Sequence, residues 1–259
     1  MANITARGRF FWHEMMAPDP KADAAFYEKL IGWSSQPWDK DPAYTFFSMG
    51  GQHMAGLMKL PDEAKAMGTP PMWVTYIGTA DVDATAGQAK AAGGQVHKQP
   101  RDIPDYGRFA ILGDPQGAIF AAFTPKQPPP GDQKPVVGDF SWHELITTDW
   151  QSAWRFYEQL FGWEKMEAMD MGPMGLYQMF GLDGHMLGGM FNRPAGNLVP
   201  PMWLPYILVP DSPGLVEPIE QLGAKVINGP MEVPGGDWIV QGLDPQGAMF
   251  ALHSKKKAA

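Results

Sequence analysis

The sequence predicts an α+β protein in which one βαβββ unit occurs four times. Three observations lead to this prediction. Blocks of the first half recur in the second half, always 130 residues further along the chain. Each half contains two stretches with helical spacing that begin at an aspartate and end at a glycine. Short apolar segments with the alternating polarity of strands flank these stretches.

The repeated blocks identify a tandem duplication, since internal repeats of this kind reflect repeated structural units. The matching pairs are "FFWHEMMAPD" at 10–19 with "FSWHELITTD" at 140–149, "PPMWVTYI" at 70–77 with "PPMWLPYI" at 200–207, and "DPQGAIFA" at 114–121 with "DPQGAMFA" at 244–251. The Pro-rich segment between the copies is typical of an extended spacer. We therefore predict two domains, 1–124 and 138–259, joined by a linker at 125–137.

The first helix of each copy has clear end signals. Asp19 can cap the free N–H groups of a helix, and Pro20 suits its first position. Apolar residues at i and i+4 follow, and Gly32 can adopt the left-handed conformation that ends a helix. The second copy has the same signals between Asp149 and Gly162.

The second helix of each copy is predicted from Asp81 to Gly93 and from Asp211 to Gly223. Pro218 should bend the last helix, because proline removes an internal hydrogen bond. The "DPQG" segments, with Asp first, Pro second and Gly fourth, favour a type I turn before the final strand of each copy.

Composition limits the classes of function. The chain has no cysteine, which excludes disulfides, thiolate nucleophiles and thiolate metal ligands. A net charge of −8 argues against nucleic-acid binding, which needs clustered Lys and Arg. No apolar run is long enough to span a membrane, and the first residues lack the apolar core of a signal peptide. We expect a cytoplasmic protein without membrane or nucleic-acid partners.

The four units, the "FYEKLIGW" and "FYEQLFGW" helices and the "DPQGA" turns together resemble the vicinal oxygen chelate superfamily. This superfamily includes glyoxalase I, extradiol dioxygenases and bleomycin-resistance proteins. The resemblance implies two tandem glyoxalase-like domains, each with a cup-shaped mixed β-sheet and helices outside. It also implies that a metal, where present, is held by residues of the first and last strands.

Counting along the chain to the positions that the superfamily uses for its metal gives no suitable ligand. The six positions are occupied by Trp12, Val74, Ala121, Trp142, Leu204 and Ala251. We therefore expect no metal cofactor. A bound Fe, Mn, Ni or Zn ion is kept as the alternative.

The repeated Trp-His-Glu segments supply the candidate reactive groups. Strand alternation puts Trp12 and Glu14 on one face, so Glu14 should point into the cup. An apolar, Trp-lined cup should raise the pKa of this carboxyl, as in a general acid or base. The alternative is a glutamate that holds the strand through hydrogen bonds. The same two interpretations apply to Trp142 and Glu144.

Four histidines of the repeat divide into two pairs. His13 and His143 should face the helices as satisfied, partly buried side chains. His53 and His185, in "QHMAGLM" and "GHMLGGM", are the imidazoles best placed for a cup. With Glu14 or Glu144 they could form an acid–base pair. Two ligands alone rarely hold a catalytic metal.

Trp73 and Trp203, in the repeated "PPMW" segments, have two interpretations. They are core residues packed beneath the Pro-Pro entry, or they form an aromatic wall that stacks on a planar ligand. The sequence does not distinguish these alternatives.

The leading functional hypothesis is a metal-independent protein that binds small planar organic molecules in two aromatic-lined cups, like bleomycin-resistance proteins. The alternative is a divergent enzyme, a lyase or isomerase or a dioxygenase-like protein, using Glu14 with His53 and Glu144 with His185. Whether the protein is an enzyme is therefore left open. The expected partner is a small molecule, and both a monomer and a homodimer are compatible with the duplication.

Overall fold

The computed structural model describes residues 6–127, 134–194, 196 and 199–256. Its first half contains two βαβββ units joined by a short helix, α2. The first unit comprises β1 (Phe10–Ala17), α1 (Pro20–Ile31), β2 (Ser34–Trp38), β3 (Asp41–Met49) and β4 (Gln52–Lys59). After α2 (Asp62–Ala66), the second comprises β5 (Met72–Gly78), α3 (Val82–Ala91), β6 (Gln95–Ile103), β7 (Gly107–Gly113) and β8 (Ile119–Pro125).

The second half repeats this order, and the described residues between its two units form no helix. The third unit comprises β9 (Phe140–Thr147), α4 (Trp150–Phe161), β10 (Glu164–Asp170), β11 (Leu176–Leu182) and β12 (His185–Asn192). The fourth comprises β13 (Met202–Leu208), α5 (Val216–Gln221), β14 (Lys225–Glu232), β15 (Trp238–Leu243) and β16 (Met249–Ser254). Short 3₁₀ turns occur at Gly172–Met174 and Pro213–Leu215.

The strands form two mixed, eight-stranded sheets with the same topology. Their orders are β2-β3-β4-β1-β5-β8-β7-β6 and β10-β11-β12-β9-β13-β16-β15-β14. Within each unit the first strand runs parallel to the last, as β1 does to β4 and β13 to β16. The predicted fold class, four βαβββ units in an α+β arrangement, is confirmed.

Helix ends follow the capping signals of the sequence. The Asp19 carboxylate accepts hydrogen bonds from the backbone N–H groups of Lys21 and Ala22, and Gly32 ends α1 with a φ of 83°. Asp149 caps α4 in the same way through the Ser152 N–H. These helices therefore begin and end where the sequence predicts.

The last predicted helix differs from its prediction. The chain after Asp211 forms a 3₁₀ turn and then the short helix α5, which begins only two residues before Pro218. Pro218 thus lies in the first helical turn, where a backbone N–H would have no intrahelical partner. Proline does not bend a longer helix here. Its position agrees with a helix that starts late.

The "DPQG" segments form the predicted turns. The Gly117 N–H donates to the Asp114 carbonyl at 3.0 Å, and the Asp114 carboxylate accepts from the Ala118 N–H at 2.8 Å. In the second copy Asp244 accepts the equivalent bonds from the N–H groups of Gly247 and Ala248. Each turn leads directly into the final strand of its copy.

The chain divides into two compact units, and each unit draws on both copies of the repeat. Unit 1 comprises Met1–Phe11, Thr75–Gln133 and Trp142–Trp203, and unit 2 comprises Trp12–Val74, Lys134–Ser141 and Leu204–Ala259. In unit 1, Phe120 packs against Tyr157 and Phe161 of α4. In unit 2, Phe26 and Tyr27 of α1 pack against Phe250.

Each sheet is built from the strands of one copy, whereas each compact unit contains segments of both copies. The domain boundaries at 1–124 and 138–259 stay a prediction. The predicted linker, 125–137, lies partly outside the described residues. Among the described helices, none combines the length and apolarity needed to cross a bilayer.

Candidate functional site

In unit 2, the inner-strand residues Trp12 and Tyr44 form a hydrogen-bonded aromatic pair beside a buried carboxylate. The indole N–H of Trp12 donates to the Tyr44 hydroxyl at 2.8 Å. Both residues are half-buried, so each keeps part of its surface accessible to solvent. Glu14, two residues after Trp12 on β1, is 5% exposed. The pair and the carboxylate define a face that joins apolar ring surface to a polar group.

Further rings extend this face along β2 and β3. Phe46 packs edge-on against Trp12 at 5.9 Å and against Tyr44 at 5.3 Å between ring centroids. Trp38 meets the Tyr44 ring at 6.1 Å, and the imidazole of His53 stacks on Phe46 at 4.2 Å. Such edge-to-face contacts fix ring orientations. We call Trp12, Trp38, Tyr44, Phe46 and His53 the first aromatic face.

In unit 1, the second copy builds a matching group with a complete hydrogen-bond chain. The indole N–H of Trp142 donates to the Tyr177 hydroxyl at 2.7 Å, and this hydroxyl donates to Oε2 of Glu144 at 3.1 Å. Glu144 is 7% exposed. Phe191 stacks on Tyr177 at 5.8 Å. We call Trp142, Tyr177 and Phe191 the second aromatic face.

The Tyr177 hydroxyl keeps its proton in this setting. Burial raises the pKa of Tyr177 well above its ordinary value, and the neighbouring charge of Glu144 raises it further. A neutral phenol can donate to the carboxylate while it accepts from the indole. These two hydrogen bonds therefore orient the Glu144 carboxylate and hold it against the second aromatic face.

Two glycines make room for the tyrosines. A Cβ atom on Gly56 would lie 1.8 Å from the Tyr44 hydroxyl oxygen, and one on Gly189 would lie 2.0 Å from a Tyr177 ring carbon. Gly56 is the register partner of Glu14, and Gly189 is the register partner of Glu144. These two glycines are therefore equivalent positions of the two copies.

The tyrosines were missed in the sequence because they fall outside the regular spacing of the repeat. Tyr44 and Tyr177 lie 133 positions apart, while the quoted blocks lie 130 apart. The shared segments "YTFF" at 44–47 and "YQMF" at 177–180 carry the signal that could have found them.

The two candidate imidazoles, His53 and His185, are not equivalent. On β4 the register slips between Ala55 and His53, and on β12 it slips between Gly188 and Met186. His53 therefore corresponds to Met186, and His185 corresponds to Gln52 at the hairpin end.

The imidazole of His53 lies 3.0 Å from the Ser48 hydroxyl, and His185 is exposed at the start of β12. Glu144 accepts a hydrogen bond from the Tyr177 hydroxyl, a group of the second aromatic face. In the second copy the structure thus places a tyrosine hydroxyl beside Glu144, and the Glu–His pairs stay a prediction.

Trp73 and Trp203 lie in the apolar cores, where each is 1% exposed. The Trp73 indole donates to the Tyr27 hydroxyl at 3.1 Å, and Trp203 donates to Tyr157 at 3.0 Å. A ligand could contact either indole only if its core opened. Of the two interpretations, we therefore keep core packing and leave both tryptophans out of the proposed site.

His13 and His143 are buried and satisfied. His13 stacks on Phe140 at 3.8 Å, and His143 stacks on Phe10 at 3.5 Å while Nδ1 lies 3.1 Å from the Leu187 carbonyl oxygen. Burial lowers the pKa of His143 to about 3, so its ring is neutral at physiological pH. These imidazoles are structural.

The positions that would hold a metal carry side chains without donor atoms for one. Val74, Ala121, Leu204 and Ala251 are fully buried, and Ala121 and Ala251 pair with Tyr76 and Tyr206 on the neighbouring strands. The small alanines lie beside these large rings. Within the described parts of the chain, no group of three or more His, Asp or Glu side chains could hold a metal ion. These residues do not fit a resident metal.

Comparison with known proteins agrees with this architecture. The family model described as the glyoxalase/bleomycin resistance protein/dioxygenase superfamily matches residues 9–121. The 2,3-dioxygenase LapB from Pseudomonas sp. KL28 superposes with a TM-score of 0.67 at 11% identity, covering 98% of this chain and 94% of its own. The family match lies within the first copy of the repeat, and the likeness to LapB extends the same fold over both copies.

Two curated relatives match this chain over nearly their whole length. The provisionally named glyoxylase CFP32 of Mycobacterium tuberculosis is 29% identical over 247 residues, which are 93% of this chain and 92% of the relative. The anthracycline biosynthesis protein DauV of a Streptomyces species is 29% identical over 266 residues, which are 98% and 95% of the two chains.

Proposed function

We propose that this protein binds planar aromatic molecules with a polar substituent, and that it uses the first and second aromatic faces without a metal. The observation that carries the proposal is the pair of side-chain hydrogen bonds that links Trp142 to Tyr177 and Tyr177 to Glu144. It holds a buried carboxylate at the edge of aromatic rings. Ring faces supply stacking area, and the carboxylate and hydroxyl supply the few directional contacts that small-molecule sites use.

A fused aromatic ligand with a phenolic or amino group suits this arrangement. Its ring would stack on Trp12 or Trp142, which are half-buried. Its donor group would bond to Glu14 or Glu144, whose burial strengthens a hydrogen bond to a charged oxygen. The relationship to a protein of anthracycline biosynthesis supports this ligand class, because anthracyclines are planar polycyclic compounds with such groups.

Titration with an anthracycline and with anthraquinone-2-sulfonate tests the proposal. Tryptophan fluorescence and calorimetry should give saturable binding of the anthracycline, weaker binding of the anionic quinone, and loss of one site in Trp142→Ala. Trp73→Phe, in the core, is the matched control and should retain both sites. Absence of binding across planar compounds with donor groups would overturn the proposal.

Metal content tests the metal-free part separately. Elemental analysis of protein purified without added metal should find less than stoichiometric Fe, Mn, Ni and Zn. About one ion per chain, removed by a chelator together with ligand binding, would contradict it.

The second candidate is an enzyme that uses the same carboxylates. The Tyr177–Glu144 hydrogen bond favours it, since an oriented carboxylate can accept a proton from a bound substrate. Glu144→Gln keeps the shape and removes the charge. Under the enzymatic hypothesis this variant binds ligand but loses turnover, whereas under the binding hypothesis it loses affinity for donor-bearing ligands.

A further inference from the structure

The second copy contains a polar group that has no counterpart in the first. In unit 2, Nδ1 of His253 lies 2.8 Å from the Ser141 hydroxyl, and Nε2 lies 2.9 Å from Oδ2 of Asp237. The corresponding residues of the first copy, 130 positions earlier, are Phe123, Phe11 and Gly107. There the two phenylalanine rings pack edge-on at 5.7 Å. The first copy thus has an apolar contact at the positions where the second copy has a hydrogen-bonded serine, histidine and aspartate.

One tautomer of His253 satisfies both contacts. With the proton on Nε2, the ring donates to Asp237, and the Nδ1 lone pair accepts from the Ser141 hydroxyl. The Ser141 oxygen also lies 3.4 Å from the Tyr206 carbonyl oxygen, a longer contact than the one to the ring. This is the proton arrangement in which a histidine can accept the proton of a serine.

Asp237 is held ionised. Burial alone would raise the pKa of its carboxyl, but the Lys256 N–H, the Lys255 ammonium and His253 together lower the pKa to about 2. The Lys255 Nζ lies 2.9 Å from the oxygen that faces His253. An anionic partner on the far nitrogen stabilises an imidazolium that forms during proton transfer.

His253 is in the form that a base requires. Its partial burial lowers the pKa of the imidazole below its ordinary value, so the ring is neutral near pH 7. Ser141 is half-buried at the start of β9, whereas His253 is 8% exposed. A small electrophile can therefore approach the serine more readily than the histidine.

We propose that Ser141, His253 and Asp237 form an acyl-transfer site that accepts small activated aryl esters. The Ser141 oxygen attacks the ester carbonyl carbon as its proton moves to Nδ1 of His253. The carbon–oxygen bond to the aryl group then breaks, and the phenolate takes the proton from Nδ1. Water attacks the acyl-serine, its proton returns through Nδ1 to the serine oxygen, and the acid leaves. The sum is ester plus water giving acid plus phenol.

The role of each residue follows from its contacts. Ser141 is the nucleophile, and His253 is the general base and then the general acid. Asp237 is a positioning residue, because it acts through the ring and does not touch the acyl group.

Covalent labelling of the full chain tests the site. We expect a small fluorophosphonate to modify Ser141, identified by peptide mass spectrometry, and p-nitrophenyl acetate to be hydrolysed with an initial burst. Ser141→Ala should abolish the label and lower the hydrolysis rate at least tenfold. Asp237→Asn should slow labelling by at least tenfold without moving its site.

The double variant Ser141→Phe with His253→Phe restores the pair found in the first copy and is the matched control. It should fold, as judged by an unchanged cooperative thermal transition, and should neither label nor turn over. Mapping of the label in the unaltered chain does not depend on any variant. Absence of label, or a label on another residue, would overturn the proposal. Neither result bears on binding at the aromatic faces.

Discussion

The hydroxyl group of Tyr177 connects the candidate carboxylate Glu144 to Trp142. Tyr177→Phe removes the donor to Glu144 and the acceptor of the Trp142 N–H, both at buried or half-buried positions. Losing partners for buried polar groups costs about 1–3 kcal/mol. We expect the free energy of unfolding in urea to fall by about that amount.

A double-mutant cycle isolates this contact. Combining Tyr177→Phe with Glu144→Gln should cost less than the sum of the single changes, with a coupling free energy above about 0.5 kcal/mol. Additive effects would mean that Tyr177 stabilises the fold without acting on Glu144.

Glycine at two positions sets the place of each tyrosine. Gly189→Ala would bring a methyl group to 2.0 Å from the Tyr177 ring, so the ring must move. We expect this variant to lose ligand affinity at the second aromatic face by about tenfold or more while it stays folded. Calorimetry with the anthracycline measures it.

Gly87 provides the control. It lies on α3, and a Cβ there meets nothing within 4 Å. Gly87→Ala should therefore leave affinity unchanged and raise the free energy of unfolding by up to about 1 kcal/mol. Equal affinities in the two variants would argue against the position assigned to Tyr177.

Among the elements, α1 is coupled to the turn before β16 through a buried aspartate. Asp23 is fully buried, and its Oδ2 has no hydrogen-bond partner within the described residues. The side chain of Gln246 donates to the other oxygen. Burial, together with the charge of Asp244, raises the pKa of Asp23 to about 7.

This pKa predicts a pH-dependent stability. Between the unfolded pKa of 3.8 and the folded value of about 7, the folded state binds more protons. The free energy of unfolding should therefore fall as pH rises through this window, by up to ~4 kcal/mol.

Asp23→Asn keeps the acceptor for Gln246 and removes the titration. Urea unfolding at pH 5 and pH 8 should differ less in this variant than in the parent protein. Asp62→Asn, on the exposed helix α2, should leave the difference unchanged. The same difference in all three proteins would contradict the assignment to Asp23.

Local signals predicted the elements better than the site. Asp19, Asp149 and the two "DPQG" turns act through bonds to residues two to four positions away, so their outcome can be read from the sequence. The Tyr177–Glu144 contact joins residues 33 positions apart, across three strands. It depends on the lengths of the connections between strands. A change of three residues in that spacing concealed the shared tyrosine.

At the scale of the whole molecule, the cores combine residues that the repeat separates. Tyr27 of the first copy donates to Asp244 of the second at 3.3 Å, and Tyr157 donates to Asp114 at 3.1 Å. The sequence could not predict this exchange, because both copies present nearly the same apolar helix face. The helix of either copy could pack against the final turn and strand of either copy and bury the same kinds of residue.

Separated halves should therefore be unstable alone. Residues 1–124 by themselves leave the Phe26 and Tyr27 side of α1 without its partner Phe250. We expect this fragment to self-associate, and to form a one-to-one complex when mixed with 138–259. Light scattering after size-exclusion chromatography measures the masses. Two stable monomeric halves would instead support the boundaries predicted from the repeat.

The exchanged cores have a consequence for how such a chain could arise. A half-length ancestor with this helix face could complete its interior only by pairing with another molecule of itself. In a duplicated chain that pairing is intramolecular and independent of protein concentration. Because the two copies no longer have to be identical, each can acquire its own substitutions. Phe11 and Ser141, which occupy equivalent positions, are an example.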